Sequence, residues 1–416
     1  MTLSRRTLLA GALATPFAIA ACGQSAGSRP GVLRITTPDF AGTAGKAALE
    51  DEILASWDRD DVRTLVDYIA WDKLNEKLTT GIASGIIPDI IMMGVGWVPP
   101  FAEKGVFAKL PDELFAELEI NEALRPVSTY EGGIHGLPYI TEARMFAYSK
   151  EIFDQHGIAD PPSKLDELRD LGKELQGGDV VPFDIFTNNI RQTWLHVLSA
   201  MGSSLFTSDG LQTGFTDGSG AEALQFMIDL VADGSADFNL RGAAGQPRPW
   251  QLGQAAVDLI STGNWPTLLE QSPDLVAEDS MGLFLMPGSA GNPPVLYLGG
   301  TLLSVSTDSE NFDAAVELVR HMFEPDMLLA AGKMNGKIPP VAALPPDEEF
   351  EANRIGEFAL DNLDYAGAFE GGSAAWMEVR EQVAPQLEAA VGGSQSVQET
   401  IDYLERVFNV ALDRIR

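Results

Sequence analysis

The chain has 416 residues, of which 28 are basic and 60 acidic, for a net charge of −32. A surface this acidic repels nucleic acid and anionic lipid headgroups, so neither is expected as a partner. With 45% hydrophobic residues and a single cysteine, it reads as a folded globular protein long enough to need no disulfides.

Met1 to Arg6 carries Arg5 and Arg6 as a pair, and Leu8 to Ala21 follows without a charge. This is the pattern of an export signal, too short and too interrupted by Gly11 and Pro16 for a membrane span. Ile19, Ala20, Ala21, Cys22 and Gly23 resemble a bacterial lipobox, in which cleavage leaves Cys22 as a lipidated first residue. Ser4 to Leu9 resembles a twin-arginine signal. Residues 1–21 are read as that signal peptide and 22–31 as a lipid-anchored tether, placing the body outside the cytoplasm on the cell envelope. Beyond Cys22 no thiol remains for a nucleophile or a metal site.

Val32 to Pro38 predicts a strand, Thr43 to Trp57 a helix, and Val62 to Ile69 a second strand. Trp71 to Ser84 has Leu74, Leu78 and Ile82 at helical spacing. Pro88 to Met93 is an apolar run of the kind buried on both faces of a parallel sheet. Gly132 to Tyr139 is a glycine-rich turn, followed by a short strand over Arg144 to Ser149 and a short helix over Lys150 to His156. Helices are expected over Leu165 to Leu175, with Ser163 as N-cap, and over Glu222 to Ala232. Strands are expected over Ala255 to Ile260, Met281 to Met286 and Thr301 to Ser306, and a helix over Phe312 to Phe323. The carboxyl-terminal part reads as helical, over Glu349 to Leu363, Ala374 to Ala390 and Val397 to Leu412. Alternating strands and helices define an α/β class, and the length suits two domains.

Four stretches carry a family resemblance. They are Lys73 to Asp89, Gly133 to Tyr148 with its Gly136, Leu137 and Pro138, Ala255 to Trp265, and Leu298 to Phe323 with Gly299 and Gly300. In order and spacing the chain resembles the family 1 extracellular solute-binding proteins of sugar ABC importers, the maltose-binding protein group. The resemblance implies a periplasmic-binding-protein-like fold, with two α/β lobes, a hinge, a ligand cleft and a helical C-terminal part. It places one lobe at residues 32–140 plus 296–343 and the other at 144–292 plus 344–416. It also implies a monomer that captures a neutral mono- or oligosaccharide, delivers it to the permease subunits, and uses no cofactor.

Sugar recognition needs aromatic faces for the C–H side of the ring and carboxylates, amides or arginine for its hydroxyls. Trp265, in a small-residue turn after a strand, leads the candidates, with a core role as its alternative. Trp97, after Gly94, Val95 and Gly96, could line the opposite rim or pack between lobes. Trp194 follows the polar run of Asn188, Asn189, Arg191 and Gln192, and Trp376 follows Gly371, Gly372 and Ser373. Asp39 and Phe40 lie past the first strand. Glu142 and Arg144 enter a crossing, either to grip a ligand or to fix the hinge. Asn335 and Lys337 lie in a glycine-punctuated loop, and Trp71, at a helix start, remains open.

The histidines, at 135, 156, 196 and 321, never fall at metal-ligand spacing. A glycoside hydrolase would need two carboxylates across a scissile bond. Sixty acidic residues make chance pairs inevitable, so acidity does not argue for it. A small charged solute, a glycerophosphodiester or a polyamine, is the alternative ligand class, and a structural or adhesion role the third reading.

Overall fold

The computed structural model describes residues 28–416 apart from 40, 41, 179, 243–245, 290, 342 and 343. The strands are β1 Val32–Pro38, β2 Arg63–Ile69, β3 Ile90–Gly94, β4 Thr129–Tyr130, β5 Gly133–Ile134 and β6 Leu137–Ser149. They continue with β7 Val181–Asp184, β8 Ala255–Ser261, β9 Met281–Phe284, β10 Leu296–Val305 and β11 Ala366–Phe369. Nine of them form one hydrogen-bonded network in the order β2-β1-β3-β10-β6-β8-β7, with β11 on β10 and β9 on β6.

Two long strands divide that network into lobes. The first half of β6 pairs with β10, from Leu137↔Leu303 to Arg144↔Tyr297. Its second half pairs with β8 through Arg144↔Ser261 to Tyr148↔Val257, and with β9 through Phe146↔Phe284 to Ser149↔Met281. In the same way β10 pairs with β3 over Thr301 to Val305 and with β11 over Leu296 to Leu298. The first lobe is therefore built on β1, β2 and β3, the second on β7, β8 and β9, and β6 and β10 pass through both.

The apolar run expected at Pro88 to Met93 is β3, and its side chains alternate as strand geometry demands. Ile90 and Met92 join one buried cluster with Leu33 and Ile35, and Ile91 and Met93 join another on the opposite face. The helix Trp71–Ser84 drives Leu74 and Leu78 into this second cluster and ends at Gly85, which has φ +67°. That anchoring leaves Trp71, its first residue, 40% exposed.

In the second lobe the helix Ile190–Ala200 packs with the tail helices Trp376–Val391 and Val397–Leu412 around Trp194, Phe215 and Phe408. Ser396 caps the last helix in a reciprocal box with Glu399. Several elements depart from the expected ones. Lys164, not Ser163, holds the N-cap of Leu165–Glu174, while Ser163 donates to Glu167 from its N–H and Oγ. The turn after β8 runs on into a helix, Trp265–Gln271, with Pro266 in its first turn. The expected helix from 349 breaks into Glu348–Glu351 and Arg354–Asp361, and β11 interrupts the tail.

Candidate ligand-binding cleft

A cleft of about 620 Å³ opens between the lobes over the crossing strands. Its floor comes from β6 and β10. Glu142 and Arg144 are two residues apart and so share a face of β6, opposite Gly299 and Tyr297 of β10. Arg144 donates from Nη2 to Glu142 Oε1 at 2.8 Å, and its guanidinium lies 5.1 Å from the centre of the Tyr297 ring. Lys337 reaches the other carboxylate oxygen of Glu142 at 3.2 Å. It is brought there because the next residue, Ile338, exchanges both backbone hydrogen bonds with Thr141, at 2.7 and 3.0 Å. Burial works to raise the Glu142 pKa, but Arg144 and Lys337, with hydrogen bonds from Lys337 and Ser261, hold it down at about 2.

The first-lobe wall carries Trp71, Asn75, Glu76, Gly94, Val95 and Trp97. A Cβ on Gly94 would sit 3.2 Å from Trp97 Nε1 and 3.4 Å from Trp71 Cζ3, so two indoles meet over this glycine. Trp97 is buried and stacks on Phe101 at 5.9 Å between ring centres, whereas Trp71 keeps its exposed face.

The second-lobe wall centres on Glu370, directly after β11. Its Oε1 accepts from Arg191 Nε at 3.1 Å, Arg191 Nη2 at 2.8 Å and Gln192 Nε2 at 3.3 Å, and its Oε2 accepts from Arg380 Nε at 3.1 Å. Burial opposes ionisation here too, and the two arginines outweigh it, so the Glu370 pKa is lowered. Gln192, Glu370 and Arg380 line the cleft, while Arg191 stays behind them, 2% exposed, with its guanidinium 5.8 Å from the Trp376 ring centre. Every cleft cation among Arg144, Lys337 and Arg380 thus faces a carboxylate. The arrangement offers fixed donors and acceptors beside one open aromatic face.

The candidates from the sequence separate on this geometry. Glu142, Arg144 and Trp97 line the cleft. Trp194 and Trp376 are fully buried in the second-lobe core instead, Trp194 donating from Nε1 to the Gly220 carbonyl at 3.1 Å. Their helices need large apolar side chains on the inner face, and that need takes both indoles away from the cleft. Trp265 is 7% exposed in a core cluster with Leu268, and it borders a separate groove of about 260 Å³ with Lys333, Gly336 and Phe350. Asp39 follows β1 and forms an ion pair with Lys46 at 3.1 Å, outside the cleft lining. Asn188 donates its side-chain amide to the Leu259 carbonyl, tying down the loop before Ile190–Ala200. Phe40 and Cys22 lie outside the described residues, as does the side chain of Asn335, whose backbone ends the helix Pro325–Asn335.

Sequence reasoning passed over Tyr297, Glu370 and Arg380 as cleft residues, named Gln192 only within the polar run before Trp194, and left Trp71 open. The available signal for Glu370 was an acidic residue between a short apolar run and the pair Gly371 and Gly372.

Two α/β lobes sharing long crossing strands, with a polar and aromatic cleft over the crossing, define a two-lobed binding protein. The model of the bacterial extracellular solute-binding protein family matches residues 42–327, and the chain belongs to that family. It is accordingly a binding protein of the extracytoplasmic space rather than an enzyme. A putative binding protein of Brucella abortus is 23% identical over 316 residues, covering 74% of this chain and 76% of that one. The cyclic α-maltosyl-1,6-maltose binding protein from Arthrobacter globiformis has a similar fold, with a TM-score of 0.75 at 21% identity, covering 93% of this chain and 100% of that one. UgpB from Mycobacterium tuberculosis, in complex with glycerophosphocholine, gives a TM-score of 0.72 at 20% identity, covering 93% of this chain and 99% of that one.

Proposed function

We propose that this protein captures a neutral mono- or oligosaccharide between its lobes and hands it to the permease of an ABC importer. The observation that carries the reading is the cleft itself. Exposed Trp71 offers an apolar face to a sugar ring, and Glu142, Glu370, Arg144, Lys337, Arg380 and Gln192 offer paired acceptors and donors to its hydroxyls. The fold shared with the maltosyl-maltose binding protein supports it. The likeness to the glycerophosphocholine-bound protein raises a second reading, a small charged solute. Against it, each cleft cation already faces a carboxylate, so a phosphate would bind against the repulsion of Glu142 or Glu370.

The division into residues 32–140 plus 296–343 and 144–292 plus 344–416 belongs to the same proposal, supported by the change of partners along β6 and β10. So do monomeric action, the twin-arginine signal over residues 1–21 and lipidation of Cys22. Titration calorimetry with maltotriose, mannotriose, cyclic maltosyl-maltose and glycerophosphocholine, comparing wild type with Glu142→Gln, tests the ligand class. A neutral sugar that binds wild type and is weakened by Glu142→Gln supports the reading, and binding of the phosphodiester alone defeats it. For the anchor, Cys22→Ser should lose metabolic palmitate labelling and move from the membrane to the soluble fraction, and retained labelling would contradict it.

A further inference from the structure

Glycine backbone packs tightly between the lobes at two places beside the cleft. Gly96, two residues past β3, has φ +88°, and a Cβ built on it would lie 2.3 Å from the Glu370 carbonyl oxygen. Gly371, past β11, has φ +106°, and its Cβ would lie 2.3 Å from the Gly96 Cα. On the other flank Gly336, with φ +59°, closes the helix Pro325–Asn335, and a Cβ there would come within 2.4 Å of Pro266 Cδ. The neighbours of these glycines line the cleft: Val95 and Trp97 around Gly96, Glu370 before Gly371, and Lys337 after Gly336.

Distances this short leave no room for a side chain. At Gly96 and Gly371 the opposing atoms are backbone, and at Gly336 they belong to a ring, so no rotamer change relieves the clash. A Cβ could be accommodated only by moving one lobe from the other or by distorting the segments that carry Glu370 and Lys337.

We infer that these glycine contacts are the stops that set how far the lobes close, and through that the span between the Trp71 wall and Glu370. The inference rests on the reading of the cleft as a site that closes on its ligand. It assigns Gly96, Gly371 and Gly336 a positioning role: none offers a side chain to a ligand, yet each governs whether groups from both lobes can reach the same molecule.

The test measures lobe separation without any sugar. Nitroxide labels go on Thr79→Cys and Glu222→Cys, exposed residues on helices of the two lobes, in a Cys22→Ser background, and pulsed electron double resonance records their distance distribution. The unsubstituted protein should show a short-distance population matching the structure, and Gly371→Ala should reduce it severalfold. Gly132→Ala serves as control, because Gly132 has φ +75° and nothing within 4 Å of its Cβ position, so it carries the same backbone strain without the contact. Gly336→Ala tests the opposite flank and stands in should Gly371→Ala fail to fold. The inference is overturned if the short population is missing from the unsubstituted protein, survives in the folded glycine variants, or falls equally in Gly132→Ala. Failure of every sugar to bind would remove the ligand reading and leave this measurement standing.

Discussion

Glu142 and Glu370 are both carboxylates withdrawn from water, and both stay charged because cations enclose them. Removing a cation from such a group leaves a buried charge without compensation. For Arg191, 2% exposed, replacement by Ala should cost ~3–5 kcal/mol in urea unfolding. The tryptophans divide along the same line of burial. Trp376→Ala, emptying a fully buried site, should cost ~3–5 kcal/mol of stability. Trp71→Ala should leave stability nearly unchanged and weaken sugar binding on the order of tenfold, ~1.4 kcal/mol; equal binding by the two proteins in calorimetry would remove Trp71 from the site.

Acid titration separates two kinds of carboxylate, one half-buried in the cleft and one fully buried. Glu142 has a folded pKa of about 2 against an ordinary 4.5, so its contribution is complete above pH 4.5 and is lost as the pH falls through 2. Asp184 has the opposite sign. Burial and the neighbouring Asp258 push it from 3.8 up to about 6, against the pull of Thr187 and Arg248. Its stabilising form is the protonated one, full below pH 3.8 and lost as the pH rises through 6. Urea unfolding at stepped pH should therefore show that Asp184→Asn flattens the decline between pH 4 and 6, while Glu142→Gln removes part of the decline below pH 4.5. An unchanged profile in either variant would contradict the corresponding assignment.

Among the elements, β6 and β10 matter most, and they were only half legible. The far halves, Arg144 to Ser149 and Thr301 to Ser306, read as strands from their apolar content. The near halves carry Pro138, Glu142, Gly299 and Gly300, residues with weak strand preference that read as turn or crossing. Pairing between the two strands overrides that preference, and the same pairing builds the cleft floor. The strand β11, Ala-Gly-Ala-Phe, has no local signal either, and exists because Leu296 to Leu298 offer it an edge. Glu370 was hidden for this reason: its position depends on a strand that only tertiary structure creates. Trp194 and Trp376 misled the reading for the converse reason, since a polar or glycine-rich approach in sequence does not reveal which face of the following helix is buried. Of the two glycines of β10, Gly300 is the one the crossing needs. Gly300 has φ +112°, and a Cβ on it would lie 2.3 Å from the Ile140 carbonyl oxygen. Gly300→Ala should cost ~1–3 kcal/mol in thermal or urea unfolding, and a loss near zero would show that the crossing tolerates a side chain.

Over the whole molecule, a chain of net charge −32 holds a cleft in which arginine and lysine match the carboxylates they face. That local balance favours an uncharged ligand over an anion, which the surface would repel, or a polyamine, which would meet cations on the floor. Closing on such a ligand shifts the lobes only to the extent that it binds the closed form better. The most direct measurement is calorimetric titration of the mature protein with neutral oligosaccharides, with the sugar recovered afterwards and its mass determined. One-to-one binding of a neutral sugar, recovered intact, is the expected result; binding confined to charged solutes, or recovery of a cleaved sugar, would contradict it.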